Sequence, residues 1–178
     1  MALIFTYVFI IGLVVGSFLN VCIYRIPKGE SIIMPPSHCT ACGERLKAVD
    51  LIPVVSYVLL KGRCRNCGSK ISVRYPLIEI LTAGCYLLLY IKYGLTVEFI
   101  SSAFLVSLLI PMTFIDLEHK IIPNGLVVTG IAGGAVLAFY NAFHPLDFYI
   151  DREWWNPLAG SVTASGFLFL VSMIGTTV

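Results

Sequence analysis

The sequence predicts an all-α polytopic membrane protein, with about five transmembrane helices and a small cytosolic four-cysteine zinc-binding module between helices 1 and 2. Three observations carry this expectation. Hydrophobic residues fill 58% of the 178 positions and charged residues only 12%, a balance suited to lipid as the solvent rather than to a soluble core. The apolar residues fall into separate runs close to the roughly 20 residues that cross a bilayer. Four of the six cysteines stand as two Cys-x-x-Cys pairs in the most basic stretch of the chain, which favours a metal site in a reducing compartment over a disulfide framework.

The first apolar run covers residues 2–24. It lacks the basic start and small-residue cleavage site of a secretory signal peptide, so it is expected to persist as a membrane helix. Gly12 and Gly16 lie one helical turn apart within it. That spacing either admits a second helix at close range or reflects the tolerance of membrane helices for glycine. From residue 25 to 74 the composition turns to Pro, Cys, Gly, Ser and charge, marking the one soluble module. Further apolar runs follow at about 75–90, 97–115, 121–143 and from 157 to the end. The expected organisation is therefore helix 1 at 1–24, the module at 25–74, and helices 2–5 at 75–178. Asp116-Leu117-Glu118-His119-Lys120 is a short polar link, expected to join the third and fourth runs as a helical hairpin.

Nine of the twelve basic residues lie between Arg25 and Arg74; only Lys92, Lys120 and Arg152 fall elsewhere. The positive-inside bias then places the module and the Asp116 link in the cytosol and the N-terminus outside. Trp154 and Trp155, in the acidic and aromatic segment 146–156, become interfacial anchors on the outer face. A formal net charge of +2 argues against nucleic acid as a partner. The last run is apolar up to Val178 and reads as a chain cut within or just after a helix.

Cys39-Thr-Ala-Cys42-Gly and Cys64-Arg-Asn-Cys67-Gly have the form of two metal knuckles. A two-residue spacer lets both thiolates of a pair face one ion, and the following glycine permits the tight turn. Four thiolates complete a tetrahedron, so the metal, expected to be zinc, is structural and has no open position for catalysis. A fold of about 50 residues with few large apolar side chains needs such an ion for its stability. The competing reading, two redox-active pairs, lacks a thioredoxin-like strand and helix pattern. Cys22 and Cys85 lie in apolar runs and read as small buried hydrophobes.

Two carboxylates stand at membrane edges. Asp116 ends one apolar run and Glu79 lies just inside another, and a charge there needs hydration or a partner. Asp116 is either functional or a solvated helix-end residue; Glu79 is more simply the partner of an arginine such as Arg74. Pro111 and Pro123 flank Asp116, and are either ordinary helix punctuation or the makers of a polar notch at the membrane surface.

Gly16-Ser17-Phe18-Leu19-Asn20 running into Tyr24-Arg25-Ile26-Pro27, the paired cysteines, and Asp50-Leu51-Ile52-Pro53 resemble the bacterial type IV prepilin peptidases. So do Arg74-Tyr75-Pro76-Leu77-Ile78-Glu79 and Asp116 followed by Pro123-Asn124. The resemblance runs through nearly the whole chain in order. It implies a bifunctional enzyme of the bacterial cytoplasmic membrane. Such an enzyme cleaves the leader of prepilin or pseudopilin precursors, then methylates the new N-terminus with S-adenosylmethionine. It further implies an intramembrane aspartyl protease in which Asp116 is one catalytic acid and a Gly-x-Gly-Asp motif supplies the other. That motif is absent from the 178 residues, and the expectation is that it follows Val178. The alternative is a fragment that binds precursor without processing it. No glycine-rich fingerprint marks a methyl-donor site, and the sequence sets no oligomeric state.

Overall fold

The computed structural model describes residues 2–144. Among these residues the protein is all-helical: α1 (Ala2–Arg25), α2 (Val55–Leu59), α3 (Arg74–Tyr93), α4 (Val97–His119) and α5 (Asn124–Phe143). Two isolated bridges, His38 with Arg45 and Arg63 with Lys70, are the only extended pairings described. Four helical segments are long and apolar enough to span a bilayer: Leu3–Lys28, Arg74–Tyr93, Val97–His119 and Asn124–Asn141. The expected fifth helix and the tryptophan segment lie outside the described residues.

Backbone contacts divide the chain after Gly130 into two units. In the first, α1 packs along α3 and both touch α4. The face of α1 carrying Leu3, Tyr7, Ile10, Val14 and Phe18 is exposed, the spacing of a lipid-facing stripe. Its opposite face buries Val8, Leu19 and Ile23.

Gly12 and Gly16 lie on that inner face because α3 leaves no room for a side chain. A Cβ on Gly12 would stand 2.5 Å from the Ala83 Cα, and one on Gly16 would stand 2.7 Å from the Glu79 Cα. The close-approach alternative therefore describes α1. Below this contact Leu19, Ile23, Ile78, Ile110 and Ile115 form a buried cluster. Toward the other end Val8, Tyr86 and Ala103 form a second, in which the Tyr86 hydroxyl lies 2.8 Å from Ser107 Oγ. In the second unit, Tyr140 stacks on His144, with centroids 5.1 Å apart.

Three helix boundaries differ from the apolar runs. Arg74 is the first residue of α3, and the helix continues to Tyr93 before Gly94 ends it. The helix α4 runs unbroken through buried Pro111 and through Asp116, stopping at Lys120, whose φ is +57°. The polar link is thus mostly the last turn of α4: charge ends the hydrophobic pattern there but not the backbone hydrogen bonding. Cys22 is buried as expected, whereas Cys85 is only partly so.

Candidate functional site

The cysteine module has little regular structure, and its two knuckles are built alike. The Cys39 N–H donates to the Glu44 carbonyl at 2.9 Å, and the Gly43 N–H returns to the Cys39 carbonyl at 2.9 Å. In the second knuckle the Cys64 N–H donates to the Ser69 carbonyl at 2.8 Å, and the Gly68 N–H to the Cys64 carbonyl at 3.0 Å. Gly43 and Gly68 take φ of +73° and +72°, values that a side chain disfavours. Each knuckle is flanked by one of the two isolated bridges.

This construction brings all four sequence-predicted sulfurs together. The Sγ atoms of Cys39, Cys42, Cys64 and Cys67 lie within 4.8 Å of one another, with Cys39 and Cys67 at 3.9 Å. Tetrahedral zinc with Zn–S bonds of about 2.3 Å separates its sulfurs by about 3.8 Å, so the donor set fits such an ion. The N–H groups of Cys42 and Ala41, with the Ser69 hydroxyl, hold the Cys39 thiol down to about 6. For Cys42 the Glu44 N–H pulls the thiol down. Desolvation and the sulfurs of Cys67 and Cys39 together outweigh it and push the thiol up to about 11. Without a cation, then, the cluster resists full ionisation; a divalent ion removes that conflict.

An ion pair ties the segment between the knuckles to the second of them. Arg65 Nε donates to Asp50 Oδ1 at 2.8 Å, and Asp50 Oδ2 accepts the Lys47 N–H at 3.3 Å. The Arg65 guanidinium holds the Asp50 carboxyl below its usual range.

The module is joined to the membrane helices through buried charges. Arg25, 5% exposed at the end of α1, donates to the carbonyls of Ser31 at 2.9 Å and Pro35 at 2.7 Å. Glu79, 6% exposed on α3, accepts the Val54 N–H at 2.7 Å. Val54 has a φ of +60°, rare for a β-branched residue. The arginine partner expected for Glu79 is therefore replaced by a backbone donor, because Arg74 instead pairs with Glu118 of α4. Sequence reasoning missed Arg25 as a clamp and Val54 as a strained joint. The only local signal was a cation at the end of an apolar run.

Asp116 is exposed in the last turn of α4. The residue before it, Ile115, is fully buried, so the turn is fixed against the helix cluster while Asp116 faces outward. Glu118, two positions on, carries the pair to Arg74. Among the described residues no second acid of a Gly-x-Gly-Asp motif accompanies Asp116, and Asn124 opens α5.

A family model, the bacterial peptidase A24 N-terminal domain, matches residues 10–93. A prepilin leader peptidase/N-methyltransferase of Myxococcus xanthus is 40% identical over 182 residues, covering 95% of this chain and 54% of the relative. The chain belongs to the type IV prepilin peptidase family. A prepilin peptidase of Bacillus subtilis, named as a leader peptidase/N-methyltransferase, is 36% identical over 95% of this chain and 64% of its own length. The Escherichia coli O78:H11 type 4 prepilin-like proteins leader peptide-processing enzyme is 38% identical over 67% of this chain and 53% of its own. The chain thus spans between about half and two thirds of these prepilin peptidases. No solved structure matches it.

Proposed function

We propose that this chain supplies the metal module and one catalytic acid of an enzyme that cleaves prepilin-like leaders at the cytosolic membrane face and N-methylates the product. Similarity to prepilin leader peptidase/N-methyltransferases across 95% of the chain is the observation that carries the proposal. In this reading residues 1–24 are the first span, 25–74 a cytosolic zinc-binding domain, and 75–178 part of an intramembrane aspartyl protease. The clustering of nine basic residues between Arg25 and Arg74 supports that orientation.

Asp116 is the proposed acid. Its exposed place at the end of a membrane helix leaves the carboxylate open to water and to a peptide, and the Arg74–Glu118 pair ties its turn to α3. Paired with a second aspartate, an ionised carboxylate takes a proton from water while the protonated one polarises the scissile carbonyl. Zinc on Cys39, Cys42, Cys64 and Cys67 is structural here, because four thiolates leave no position for water. S-adenosylmethionine, when bound, supplies the methyl group.

Asp116→Asn in the native protein is expected to lower leader cleavage by about 100-fold or more, the scale of lost acid–base catalysis, while zinc content stays unchanged. Normal cleavage by that variant would remove Asp116 from the mechanism. Should the 178-residue chain alone retain precursor without cutting it, the binding-only alternative describes this segment.

A further inference from the structure

Between the cysteine module and the neighbouring ends of α1 and α3 lies a cavity of about 830 Å³, within the roughly 300–1,000 Å³ typical of small-molecule sites. Asn20, Tyr24, Tyr57, Arg74, Tyr75 and Glu79 are among its lining residues. None of the proposed cleavage chemistry uses it, since Asp116 is not in its lining.

Two polar atoms in this lining lack partners. Asn20 is 2% exposed. Its Nδ2 donates to the carbonyls of Gly16 at 3.3 Å and Tyr75 at 3.0 Å, while its Oδ1 is buried with no hydrogen bond. Arg74 spends Nη1 on Glu118, and its Nε is likewise buried without an acceptor. A buried acceptor and a buried donor each call for a complement. One ligand that carries N–H groups and an oxyanion satisfies both, and three tyrosines give a planar ring somewhere to pack. The buried Glu79 carboxylate adds negative charge suited to a cationic centre.

We infer that this cavity holds the methyl donor. S-adenosylmethionine combines a zwitterionic amino-acid end, a sulfonium cation and a purine with N–H groups, the chemistry that this lining complements. Arg74 Nε takes the ligand's carboxylate and Asn20 Oδ1 one of its N–H groups. The inference rests on the methyl-transfer reading above and adds to it a place. Composition could not reveal that place: its residues come from α1, α3 and the module, with no contiguous fingerprint.

The test has two parts. The native protein is titrated calorimetrically with S-adenosylhomocysteine, and separately photolabelled with 8-azido-S-adenosylmethionine, the labelled peptides being sequenced. Saturable binding is expected, with label on residues 17–79. Ser56→Trp, which fills the cavity from α2 without altering Asn20, Arg74 or a cysteine, is expected to weaken binding at least tenfold at unchanged zinc content. Equal affinity in a zinc-loaded Ser56→Trp protein, or label confined to residues outside 17–79, would overturn the site while leaving methyl transfer intact. If Ser56→Trp loses its metal, the position of the label in the native protein decides. A native protein that transfers no radiolabelled methyl group to precursor would overturn the underlying reading as well.

Discussion

At Asp50 a carboxylate only 7% exposed meets Arg65 at 2.7 Å, and its pKa is lowered chiefly by that hydrogen bond. A depressed folded value has a definite sign: the stabilisation is complete above the unfolded pKa of about 3.9 and is lost as pH falls through the lower folded value. The melting temperature of wild type should therefore exceed that of Asp50→Asn by a constant margin from about pH 8 to 5, the margin closing only in stronger acid. A margin that shrinks already between about pH 6 and 5 would show that Asp50 is not held by Arg65. Legibility varied at this scale. The four cysteines could be read because spacing alone constrains thiolates around an ion. Glu79 could be recognised as special but not correctly partnered, since its donor, Val54, is a backbone group whose availability depends on a φ of +60°.

Among the elements, the α1–α3 pair is set by two glycines. Adding a methyl at Gly12 or Gly16 forces backbone apart rather than a side chain, and overpacking of this kind typically costs about 1–3 kcal/mol. Gly12→Ala and Gly16→Ala should both lower the midpoint of unfolding in mixed detergent. Gly84→Ala serves as the control, because nothing lies within 4 Å of the Cβ it would add. An equal effect at all three positions would assign the loss to backbone entropy instead of contact. The spans were legible because lipid demands long apolar runs. Their ends were not, because hydrogen bonding continues past the last apolar residue, as it does from Asp116 to His119. Gly12 and Gly16 stayed ambiguous for a related reason: a glycine in a membrane helix carries no record of its neighbour.

For the molecule as a whole, stability is divided between two solvents. Lipid-facing helices bury little in the interior of the module, and the module in turn has Cys64 as its one buried apolar residue, so the metal must hold it together. Native protein should contain one zinc per chain by elemental analysis. Cys64→Ser, or a strong chelator, should remove it and expose the module to protease while far-ultraviolet circular dichroism of the spans persists. Retention of one zinc by Cys64→Ser would contradict the four-sulfur site. The overall plan was legible from composition and cysteine spacing, but the joint between its two parts was not. That joint has a mechanical consequence. Glu79 grips a main-chain N–H at 2.7 Å, and the gripped residue already sits in an unfavourable backbone conformation. Such a coupling has almost no slack, so a tug on the module is transmitted as torque to α3 before the knuckles themselves deform.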